Sequence, residues 1–76
     1  MSRLLEAARE LGLEVDVALS GSWVTLEGKR GRAYVAETPR RDTFLTWCDD
    51  PADRVVEQFD DPVEAINAAA RRIDRP

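Results

Sequence analysis

The chain has 76 residues, with 43% apolar and 34% charged side chains and a formal net charge of -4. It holds one cysteine and no histidine, which excludes disulfide pairs, Cys/His metal clusters, and Ser-His or Cys-His dyads. The composition is that of one folded domain spanning 1–76, of a size that buries only about 60% of its unfolded surface.

Residues 2–12, Ser-Arg-Leu-Leu-Glu-Ala-Ala-Arg-Glu-Leu-Gly, predict a short helix. Ser2 is a candidate cap, Leu4, Leu5, Ala8 and Leu11 fall on one face, and Gly12 suits the C-terminal end. Residues 13–19 alternate Leu13, Val15, Val17 and Leu19 against Glu14, Asp16 and Ala18, the period of a half-buried strand. After the Ser20-Gly21-Ser22 turn, residues 23–28 resume the alternation with Val24 and Leu26 opposite Trp23, Thr25 and Glu27. Lys29-Arg30-Gly31 turns the chain into a third strand, 32–38, and Pro39 to Asp42 turns it into a fourth, 43–48. Residues 51–59 are ambiguous. The adjacent Val55 and Val56 favour a fifth strand over 54–59, while Ala52, Val55, Val56 and Phe59 also fit a helical face. The last element is a helix with Asp61 at N-cap, Pro62 at the first position and Glu64 at the third, and with Val63, Ile66, Ala70 and Ile73 in one stripe.

Every connection between strands is too short for a parallel crossover, which needs a dozen or more residues. The expected fold is therefore α+β in two layers: an antiparallel meander of four or five strands, with the N-terminal and C-terminal helices on one face. Five strands at about 4.8 Å make a sheet roughly 20–24 Å wide, and two helices of about 10 Å cover one side of it. The other side stays bare. With Val15, Val17, Val24, Leu26, Val35, Leu45, Trp47 and Phe59 towards the helices, Trp23 and Tyr34 look outward, and Phe44 and Cys48 join them. Large aromatics on an uncovered face mark an association surface.

The charges lie in blocks. Lys29, Arg30, Arg32, Arg40 and Arg41 face only Glu37 within 28–41, and in 42–64 Arg54 alone offsets Asp42, Asp49, Asp50, Asp53, Glu57, Asp60, Asp61 and Glu64. The acidic run lacks the spaced ligands and glycine of a calcium loop, and its two Asp-Asp-Pro triplets are turn and helix-start chemistry. No metal, cofactor or catalytic residue is expected. Gly28-Lys29-Arg30-Gly31-Arg32 lacks the ending of a phosphate-binding loop. The helix–sheet–helix order resembles double-stranded-RNA-binding domains in outline, but the basic start of that family's final helix is replaced here by Asp60, Asp61 and Glu64, which repel a phosphate backbone.

The reading these features favour is a non-enzymatic protein–protein interaction module with Trp23, Tyr34 and Phe44 as anchors. Arg30, Arg32, Arg40 and Arg41 would form its polar rim or pair with the acidic 49–64 block. The partner is a protein, a second copy forming a homodimer among the candidates. One alternative is an acidic inhibitor or nucleic-acid mimic of viral or mobile-element origin. Another is weak nucleic-acid binding through the arginines of 28–41, which the net charge disfavours. Lone Cys48, the absence of a basic-then-apolar N-terminal segment and the lack of any apolar run near 20 residues point to a cytoplasmic protein with no membrane association.

Overall fold

A computed structural model describes residues 3–18, 22–39, 42–52 and 54–73. The chain runs α1 (Arg3–Glu10), β1 (Asp16–Val17), β2 (Trp23–Gly28), β3 (Gly31–Glu37), β4 (Phe44–Cys48), β5 (Glu57–Phe59) and α2 (Pro62–Arg72). The five strands form one antiparallel sheet in the order β1-β2-β3-β4-β5, the expected meander. Arg40, Arg41 and the Ser2 cap lie outside the described residues. Neither described helix is long and apolar enough to cross a membrane.

Both helix boundaries follow from local chemistry. Gly12 takes φ +69°, and the Gly12 and Leu13 amides donate to the Arg9 and Ala8 carbonyls, which closes α1 in a Schellman motif. Asp61 stands at the N-cap of α2 in extended conformation, its carboxylate accepting from the Val63 amide, with Pro62 opening the helix.

One core lies between the helices and the sheet. Leu4, Ala7 and Ala8 of α1 and Ala65, Ile66, Ala69 and Ala70 of α2 pack with Val24, Leu26, Ala33, Val35 and Phe44. The helix side of this interface is rich in alanine, so the backbones approach closely, and apolar bulk comes from the strands. Thr46 is fully buried among these residues, and its hydroxyl donates to the Ala65 carbonyl at 3.0 Å, which satisfies the one buried polar side chain among the described residues.

The sheet end nearest the C-terminus of α2 leaves no spare room. Gly28 pairs with Gly31 across the Lys29-Arg30 turn, and the Arg30 amide donates to the Ile73 carbonyl at 3.3 Å. A Cβ at position 28 would stand 2.4 Å from the Ile73 carbonyl oxygen and 2.9 Å from its side chain. Gly28→Ala is expected to cost about 1.5 kcal/mol by forcing this backbone contact apart. Urea denaturation measures it, and an unchanged midpoint would contradict the packing.

Three expectations are corrected. The first strand is two residues long rather than seven, because Leu13 and Val15 leave the ladder and pack on the core from the connection to α1. Val17 lies opposite Val24 yet remains 41% exposed on the edge strand. The fifth strand is real but spans only Glu57–Phe59, and Val55 and Val56 ahead of it are 60% and 56% exposed. The third correction concerns β4. Phe44 is fully buried beneath the helices, and Cys48, which faces Ala33, packs partly against the core; Leu45 and Trp47 point the other way. Apolar residues occupy both parities of Phe-Leu-Thr-Trp-Cys, so alternation within the strand does not choose a face. Pairing with β3 does: inward Val35 lies opposite Thr46, and outward Tyr34 lies opposite Trp47.

Candidate functional site: the open sheet face

Directly opposed residues in an antiparallel ladder share a face, so the register maps the uncovered side of the sheet. It holds three cross-strand rows. Trp23, Ala36, Leu45 and Gln58 make the first, and Asp16, Thr25, Tyr34 and Trp47 the second. Glu27 and Arg32 make the third, extended towards β4 by Asp49, whose amide donates to the Arg32 carbonyl at 3.0 Å.

The aromatic side chains of the first two rows gather. The Tyr34 and Trp47 rings stack at 5.5 Å with 20° between planes, and Trp23 lies 6.4 Å from each, tilted by 39° and 51°. Stacked and tilted contacts at these separations are favourable arrangements for aromatic rings. Trp23 stays 45% exposed, so it stands out of the cluster while Tyr34 and Trp47 are half-buried against each other. Rings packed on one another in this way expose apolar area while keeping little side-chain freedom to lose.

The third row supplies charge. Arg32 pairs with Glu27 at 3.0 Å. The Tyr34 hydroxyl donates to Asp49 at 2.7 Å, which ties the aromatic cluster to the charged end of the face. That bond raises the Tyr34 phenol above its ordinary value; desolvation and the Asp49 charge add to the rise, and Arg32 opposes it. The stability that this bond contributes is present in full below the ordinary phenol value of about 10 and is lost as pH climbs through the folded-state value. Tyr34 is the only tyrosine, so tyrosinate absorbance reports it alone. Its midpoint should lie above that of an Asp49→Ala variant; equal midpoints would deny the bond a role.

Of the residues singled out in the sequence, the structure brings together Trp23, Tyr34 and Arg32 on this face. Phe44 belongs to the core instead. The Arg32 guanidinium pairs with Glu27 of the neighbouring strand, because the ladder sets the two side by side, while the acidic 49–64 block meets Arg32 through the Asp49 amide at its carbonyl. Arg30 sits exposed in the β2–β3 turn, with its amide held by α2. Trp47 and Leu45 are the members that periodicity missed, and only the β3–β4 register reveals them. Comparison with models of known protein families, with curated proteins and with solved structures finds no match to this chain.

Proposed function

We propose that the protein is a non-enzymatic interaction module that binds another polypeptide through its open sheet face. One observation carries this reading: Trp23, Tyr34, Trp47 and Leu45 converge on the side of the sheet that no helix covers, with Trp23 nearly half exposed. Burying a ring of this kind contributes about 1.5–3 kcal/mol from apolar area alone, and the charged third row limits where a partner can dock. Both helices spend their apolar stripes on the other face, so the core has no need of these rings.

Site-specific photo-crosslinking tests the proposal. A crosslinking amino acid in place of Trp23 should yield a discrete protein adduct, and the same group in place of Asn67, exposed on α2, should not. Adding Leu45→Arg to the first variant should abolish the adduct. The same adducts from both positions would overturn the proposal.

A further inference from the structure

We infer that the outer edge of β5 pairs with the same edge of a second copy, joining two sheets into one of ten strands. This surface is separate from the aromatic cluster and does not rest on it. Backbone groups of an antiparallel strand point alternately to its two sides. The Thr38 amide donates to the Thr43 carbonyl and the Asp49 amide to the Arg32 carbonyl, so Thr43, Leu45, Trp47 and Asp49 are bonded to β3. Phe44 and Thr46 therefore bond to Phe59 and Glu57, and Gln58 turns its amide and carbonyl outward. Val56 has the parity of Gln58. On the inner side, Arg72 already donates to the Val55 carbonyl.

The edge is bare and apolar. Val55, Val56, Glu57 and Gln58 are all exposed. Among the described residues the exposed large apolar side chains are Val17, Trp23, Val55 and Val56, and the last two adjoin this edge. Sheets blunt their edges with lysine, proline or very short strands. β1, at the other edge, has only two residues. β5 has three, but Val56 extends its outer side, and residues 54–59 contain neither lysine nor proline.

Register and charge favour a second copy. A two-fold pair of edges closes at two chains, with its axis on one residue. Centred on Glu57, the pairing sets carboxylate on carboxylate. Centred on Val55 or Gln58, it sets Val56 opposite the second copy's Arg54 or Asp60. Centred on Val56, it covers the two valines with each other and sets Gln58 opposite the second copy's Arg54. Arg54 then lies diagonal to the second copy's Asp60, at the ~7–8 Å that long side chains span. Both charges are available. Arg54 donates to the Pro51 carbonyl but meets no carboxylate among the described residues, and Asp60 meets no cation there. Glu57 keeps Arg72 of its own chain at 3.7 Å. Five residues paired along one edge bury well under the ~1,200–2,000 Å² of a stable interface, so the dimer is weak, with a Kd on the order of 0.1 mM. The axis stands perpendicular to the sheet, which leaves both aromatic clusters on one side and all four helices on the other.

Sedimentation equilibrium of the whole chain, from roughly 20 µM to 2 mM so as to bracket that Kd, tests the pairing. The mean mass should rise from that of one chain towards that of two and stop there. Val56→Lys, at an exposed position, should weaken association at least about tenfold without moving the urea midpoint of the monomer. Arg54→Asp should also weaken it, and adding Asp60→Arg should restore it, as the register centred on Val56 requires. The mass of one chain at every concentration would overturn the inference. So would growth past two chains, no recovery in the double variant, or association that survives Val56→Lys and is lost in Leu45→Arg. That last result would move the second copy to the aromatic face, which the crosslinking experiment judges separately.

Discussion

Phe44→Ala is expected to destabilise the domain by about 3–5 kcal/mol, the range for removing a fully buried phenylalanine from a packed core. Phe44 has no exposed surface, lies opposite Phe59 on the helix side of the sheet, and carries the Arg3 guanidinium 5.2 Å from its ring centre. Its removal opens a cavity where β4 and β5 pack on α2, beneath Arg3 of α1. The alanines of α1 and α2 cannot fill that space, having only a methyl group each. A chain of this length is stable by roughly 4–11 kcal/mol, so the variant should be substantially unfolded at modest urea concentration. Urea denaturation followed by far-ultraviolet circular dichroism gives the number. A loss under 1 kcal/mol would mean that the ring is not where the core needs it.

Arg72→Ala should cost about 2–3 kcal/mol, the scale of hydrogen bonds made by a charged group. Arg72 is only 10% exposed at its side chain. Its guanidinium donates to the Thr46 carbonyl at 3.1 Å and to the Val55 carbonyl, and lies 3.7 Å from the Glu57 carboxylate. It thus occupies the place where β4 and the residues before β5 would otherwise continue their ladder, and it binds both to the end of α2. Truncation leaves two carbonyls without this donor. Hydrogen exchange should accelerate at Val55 to Glu57 more than at β2 and β3. Arg72→Lys should recover less than half of the loss, because an ammonium does not reproduce the planar fork that reaches two acceptors at once. Full recovery by lysine would reduce the contact to simple charge.

These two residues also mark where sequence reasoning reaches and where it ends. Helix ends are local chemistry, so Gly12 and Asp61-Pro62 were legible, and short connections dictated the antiparallel meander. Trp23 and Tyr34 were legible as outward residues because each flanks positions of clear inward parity: Val24 and Leu26 in one strand, Val35 in the other. Phe44 and Trp47 were not, since β4 offers a large apolar residue to either face and only its neighbour's register selects one. The shortening of β5 was illegible for a related reason. Arg72 interrupts the ladder from seventeen residues beyond Val55, and no periodicity within 54–59 registers it. What remained hidden is tertiary in each case, and it put Trp47 rather than Phe44 among the outward rings without emptying the open face.

Under the proposed function the two faces of the sheet divide the labour, with folding energy on the helix side and docking energy on the bare side. The fold stability of Trp23→Ala tests that division most directly, because Trp23 is the most exposed ring and its aromatic neighbours are the other two. Urea denaturation should find a loss below about 1.5 kcal/mol, the scale of an exposed aromatic contact, with the secondary structure retained. A loss of about 3 kcal/mol or more, matching a core residue such as Phe44, would mean that the cluster exists to hold the domain together and has no binding energy to spare.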